Sequence, residues 1–130
     1  MPTIRLLDET TSGTAYEPPA LELADSRLTL RDLIALRVRA EVRDYNNACR
    51  PRFYGLVQPT DVESLVNGPK ERRFKPIDAD RQVQVALEAF RKQQFFVLLK
   101  SGQVEDLDQV VSVDEGDTVS FLRLVPLVGG

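Results

Sequence analysis

At 130 residues the chain has the length of one ordinary domain, and 42% hydrophobic with 28% charged residues is a globular composition, away from disorder and membrane spans. A formal net charge of −3, with 17 basic residues scattered apart from a run at residues 70–75, removes the concentrated basic face that nucleic-acid binding needs. The single cysteine, Cys49, and the absence of histidine exclude an internal disulfide, Cys-His catalysis and the commonest metal ligand, so a protein partner, no cofactor and no metal are expected.

The opening residues Met1-Pro2-Thr3-Ile4-Arg5 lack the long apolar segment of a secretion signal, and no apolar run approaches the ~18 residues of a membrane helix. A cytoplasmic chain that does not engage a membrane is expected. Ile4, Leu6 and Leu7 mark a first β-prone stretch; Leu21 and Leu23, alternating with Glu22 and Ala24, mark a second. Between them Ser12, Gly13, Pro18 and Pro19 predict a hairpin with a long loop over residues 10–19.

Thr29 then stands as a helix cap with Asp32 three residues on. Leu30, Leu33, Ile34, Val38, Val42 and Tyr45 recur at three- and four-residue spacing, which predicts a helix whose apolar face lies on a sheet. Arg31, Arg37, Arg39, Glu41 and Arg43 are expected away from that face. Cys49, just past the helix, reads as a small buried residue in preference to a nucleophile.

Pro51, Gly55, Pro59, Asn67-Gly68-Pro69 and Pro76 interrupt the next stretch, with room for one short helix where Thr60 and Glu63 have capping-box spacing before Leu65 and Val66. A second helix is predicted from about Ala79 to Gln94, opened by Asp78 or Asp80, with Val83, Ala86, Leu87 and Phe90 on one face. The Phe, Val and Leu run at residues 95–100 predicts a strand buried on both sides, closed by a turn at Ser101-Gly102. Leu107 and Val110-Val111 are weak strand material before the acidic turn Asp114-Glu115-Gly116-Asp117 and a last strand over residues 118–127. This order predicts an α+β domain in which the last strand lies beside the first; periodicity alone leaves other α+β folds open.

In the last strand Val119 and Phe121 share one parity, Leu122 and Leu124 the other. The first pair is expected under the helix, and Leu122, Leu124 and Leu127 in an outer docking patch, unless a bulge or the inserted segment buries both sets. Glu105, Asp106, Asp108, Asp114, Glu115 and Asp117 read first as solvated turn charges and second as a field that steers a basic partner.

The strand runs through Leu124-Val125-Pro126-Leu127-Val128 into Gly129-Gly130. Glycine has no Cβ, so such a segment can thread a narrow channel and deliver the terminal carboxylate to an ATP site, where a mixed anhydride with AMP makes the carbonyl reactive toward a partner's thiol. The bland alternative is a frayed end.

Residues 20–38 (ALELADSRLTLRDLIALRV), 95–113 (FFVLLKSGQVEDLDQVVSV) and 114–130 (DEGDTVSFLRLVPLVGG) together resemble the ubiquitin-like β-grasp superfamily, in particular bacterial ubiquitin-like modifiers and the sulfur carriers of molybdopterin and thiamine synthesis. The resemblance implies one domain over residues 1–130: a mixed sheet of four to five strands on a central helix, extra helical sequence inserted at residues 46–94, and a flexible tail at 125–130. It implies a substrate, not an enzyme. Gly130, preceded by Gly129, would be adenylated by an activating enzyme of the ubiquitin-activating kind, with Val128, Leu127, Leu124 and Leu122 meeting that enzyme. Thioester transfer to an amine of a target protein would follow; such systems often add a conjugating enzyme and a deconjugating peptidase. A sulfur carrier ending in a thiocarboxylate and a non-covalent β-grasp interaction module remain as alternatives, and the long insert favours a bacterial modifier over a metabolic carrier.

Overall fold

The computed structural model of the chain describes residues 1–49, 53, 55–58 and 75–124. They form an α+β structure of two compact units, one from residues 1–33 with 90–124 and the other within residues 34–89. The second is continuous in sequence and interrupts the first. The expected short helix near Thr60 lies outside the described residues, as does everything after Leu124.

The first unit is a mixed sheet. Strand β1, Thr3–Thr10, runs parallel to β8, Thr118–Arg123, with Leu6 opposite Val119 and Asp8 opposite Phe121. On the other side of β8 lies the antiparallel β5, Phe95–Leu99, followed by β6, Gly102–Val104. On the outer side of β1 stand two short antiparallel pieces, β2 (Ala15–Tyr16) and β3 (Leu21–Glu22). The order is therefore β2-β1-β8-β5-β6, with β3 also on β1.

The expected long hairpin loop is instead a tight turn, in which the Thr10 N–H donates to Thr14 O at 2.9 Å, followed by β2. Pro18 and Pro19 then split the returning arm, since proline has no N–H to give the ladder. This is why the sheet has six strands among the described residues where four or five were expected.

Its core side carries Ile4, Leu6, Val97, Val119 and Phe121, each no more than 3% exposed. Phe95 stacks at a tilt against Phe90 and Phe121, with ring centroids 5.7 and 6.2 Å apart. Full burial of such side chains stabilises by roughly 1.5–3 kcal/mol each.

A small antiparallel pair, β4 (Arg27–Thr29) with β7 (Val110–Ser112), sets the entry of the first helix. Helix α1 spans Leu30–Ala48. Its otherwise unpaired first amides are met: Asp32 N–H donates to the Thr29 hydroxyl at 3.1 Å, as expected of that cap, while Leu30 and Arg31 donate to the carbonyls of Gln109 and Leu107 at 3.0 and 2.8 Å, which helical spacing did not foretell.

In the second unit Ile34, Val38, Val42 and Tyr45 are buried, as their spacing predicts. Arg37 is not turned outward. It is 1% exposed and paired with Glu41 at 3.2 Å, a correction that helical spacing itself carries, since Arg37 lies three and four residues after Ile34 and Leu33 on the apolar stripe and only its charge argued for the outside. Glu41 also accepts the Leu56 amide at 3.1 Å, and Tyr45 meets Phe53 edge to face at 5.4 Å. Gly55 is required by this approach, since a Cβ there would stand 2.5 Å from the Phe53 ring.

Asn46 bonds the Ile77 backbone twice, donating to its O and accepting from its N–H, both at 3.0 Å, and Gln82 donates to Val57 O at 2.9 Å. Helix α2, Ala79–Arg91, is capped by Asp78, whose carboxylate accepts the amides of Asp80 and Arg81 at 3.0 and 3.4 Å. It stops short of the expected Gln94 because Gln93 takes a left-handed φ of 60°. Val83, Ala86, Leu87 and Phe90 are buried, as expected.

Candidate functional site

Strand alternation sorts β8 as the sequence requires: Val119 and Phe121 are fully buried, whereas Leu122 is half-buried and Leu124 is 43% exposed. No bulge intervenes in the β1–β8 or β5–β8 register. Leu124 stays in line with the strand, since its amide donates to Gln94 O at 3.1 Å, and the Thr11 N–H donates to Arg123 O at 3.2 Å. The sheet thus holds the chain up to the residue from which the sequence continues toward Gly129-Gly130.

Register adds neighbours that reading along the chain missed. Leu7 and Leu98 flank Ser120 in one cross-strand row, and Glu9 and Phe96 flank Leu122 in the next. Leu7, Phe96, Leu98 and Leu122 are all half-buried and lie on the face opposite the Val119–Phe121 core. Strand β5 is consequently buried on one side only, which corrects the expectation of a strand covered on both. The signal was present in residues 95–99, but an apolar outer face removes the alternation that marks sidedness.

Of the predicted site residues, Leu122 and Leu124 are brought together on this face. Leu127, Val128, Gly129 and Gly130 lie outside the described residues.

The six carboxylates expected as turn charges are largely committed within the fold. Lys100 Nζ lies 3.2 Å from Asp114 and 3.4 Å from Asp117, Asp117 accepts the Asp114 amide at 2.8 Å, and Glu115 accepts the Thr3 amide at 2.9 Å. The Asp114 backbone hydrogen bond, and then Lys100, hold the Asp117 carboxyl below its ordinary pKa against a partial desolvation, while the two aspartates raise that of Lys100. Asp108 pairs with Arg31 at 3.2 Å. Beside the sheet, the Arg5 guanidinium 2.9 Å away lowers the Glu17 pKa, first by its hydrogen bond and then by its charge.

The apolar residues of the non-core face offer van der Waals and hydrophobic contact, worth roughly 25 cal/mol per Å² removed from water, with Ser120 and Glu9 as polar groups in the same cross-strand rows. Cys49 is exposed, with φ of 51°, which overturns its expected burial; it belongs to the second unit. Among the described residues no group of three or more acidic, histidine or cysteine side chains is arranged to hold a metal, and no helix is long and apolar enough to cross a membrane. Comparison with protein families, curated proteins and solved structures returns no match.

Proposed function

We propose that the chain is a ubiquitin-like protein modifier with a β-grasp body, acting in the cytoplasm as the substrate of an ATP-dependent activating enzyme. The β-grasp reading is supported by the sheet order, in which the first and last strands lie side by side and parallel at the centre, each followed outward by antiparallel neighbours. The functional reading rests on one observation above the rest: Leu122, on the non-core face of β8, and Leu124, the residue just past its end, lead in sequence toward Gly129-Gly130. An enzyme that docks on Leu7, Phe96, Leu98, Leu122 and Leu124 would find the glycines a few residues further along.

The chemistry asks nothing catalytic of this chain. The Gly130 carboxylate, free at a chain end or released by cleavage after Gly130, attacks the α-phosphorus of ATP and expels pyrophosphate. A cysteine thiolate of the activating enzyme then attacks the acyl carbon and expels AMP. A target amine finally displaces that thiolate, its lost proton passing to solvent, and an isopeptide bond results. Apolar docking supplies the positioning that makes these steps effectively unimolecular. A sulfur carrier would share the adenylate and diverge at the second step, with a sulfide donor in place of the amine route.

A chain ending at Gly130, incubated with a cognate activating enzyme, ATP and Mg²⁺, should gain the mass of AMP less one water and then give a thioester-linked enzyme band. Removing Gly129-Gly130 should abolish both. Replacing Leu122 and Leu124 together by aspartate should raise KM by roughly tenfold or more with the fold intact, as loss of apolar anchors does. Activation that persists after the deletion would overturn the tail chemistry, and an unchanged KM in the double variant would move docking off this face.

A further inference from the structure

The non-core face of the sheet carries a charge inside its apolar rows. Cross-strand register sets Ala15, Glu9, Leu122 and Phe96 side by side in one row, and Leu7, Ser120 and Leu98 in the next. Glu9 alone among them is ionisable. It is half-buried, and no hydrogen bond or ion pair engages its carboxylate among the described residues. The basic side chains along β1 and β5 are already matched elsewhere. Arg5 meets Glu17 at 2.9 Å, and Lys100, just past β5, lies 3.2 Å from Asp114 and 3.4 Å from Asp117.

In the free chain water still reaches the Glu9 oxygens, which do not figure among the buried atoms without a partner. A surface seated on Leu122 and Phe96 displaces that water. A carboxylate covered in this way is costly unless a donor takes the water's place, so a wholly apolar or an acidic partner surface is disfavoured. Arginine fits the demand best. Its planar fork donates two parallel hydrogen bonds to a carboxylate, its charge is permanent, and its guanidinium gives up water more readily than an ammonium does.

We propose that Glu9 is the specificity determinant of the docking face: the activating enzyme presents an apolar surface around one arginine, which takes the Glu9 carboxylate as Leu7, Leu122 and Phe96 are covered. This role depends on the modifier reading and narrows it to an enzyme with that cation. The apolar side chains give affinity to many apolar surfaces, whereas the charge selects among them, because an enzyme without the arginine would strand the carboxylate. Glu9 serves recognition alone, so its effect falls on KM and not on kcat.

The test measures ATP–pyrophosphate exchange by the host's activating enzyme, taken as the protein that forms an ATP-dependent, thiol-sensitive thioester with the chain ending at Gly130. Glu9→Gln should raise KM about tenfold with kcat unchanged, Glu9→Lys about a hundredfold, and Glu9→Asp, which keeps the charge, less than Glu9→Gln. Glu22→Gln, at an exposed carboxylate on the same sheet face in β3, should leave KM as it was. Added salt should raise the KM of the parent chain and leave that of Glu9→Gln nearly flat. If the parent is activated while Glu9→Gln keeps its KM, or Glu22→Gln raises KM equally, the specificity role fails and the modifier reading stands. A fall in kcat with KM unchanged would also overturn a role in recognition. If the parent chain forms no ATP-dependent thioester, the modifier reading fails and this role with it.

Discussion

The two units are fastened by different physics. The sheet of the first is held by register and by a continuous apolar layer in which Ile4, Leu6, Phe95, Val97, Val119 and Phe121 exclude water together. The second has its own buried apolar set but ties its connecting segments through single side chains: Glu41 to Leu56, Asn46 to Ile77, Gln82 to Val57. A packed layer spreads the consequence of any one change, whereas a polar fastener concentrates it, because a buried group left without its partner keeps its desolvation cost.

Four variants sharpen the contrast. Phe121→Ala should cost the most, about 3–5 kcal/mol by urea denaturation, with Phe121→Leu much milder, because loss in a layer follows volume. Glu41→Ala should cost about 1–3 kcal/mol by removing the carboxylate that pairs with buried Arg37 and accepts the Leu56 amide, while Arg37→Met with Glu41→Met should recover part of that, since an apolar pair of similar volume removes the charge as well. If the double variant is as unstable as the single, unit two is held by packing after all and the comparison fails.

The smallest effect concerns the exposed turn before β8. Asp117 titrates below its ordinary pKa, so its contribution is complete above that ordinary value of about 4 and is lost as pH falls through the lowered one. Lys100 titrates above its ordinary value, so its contribution is complete below about 10.4 and is lost as pH rises through the raised one. Asp117→Asn should flatten the acid limb of a stability–pH curve relative to the parent chain, leaving Glu41-dependent stability near neutrality unchanged.

Much of this was legible along the chain. Helix α1 announced itself through its period and its Thr29 cap, and β8 through the parity change at Phe121 and Leu122, which turned out to separate a buried from an open face. What escaped notice was non-local. Nothing near Leu7 or Leu98 shows that both will flank Ser120, because that depends on a parallel pairing across the whole sequence. Strands β4 and β7, three residues each, are too short for alternation to register. Arg37 was misjudged because a charge on a helix is ordinarily solvated, whereas here it is buried and paired with Glu41.

The β1–β8 pair also bears on how the protein is made. Ribosomes deliver residues 118–123 more than a hundred positions after residues 3–10, so the central ladder lacks its second strand until that late segment emerges. Such distant contacts slow folding and leave a nascent chain with unpaired edges. Newly synthesised chains should therefore be at their most chaperone-dependent and protease-sensitive just before β8 emerges.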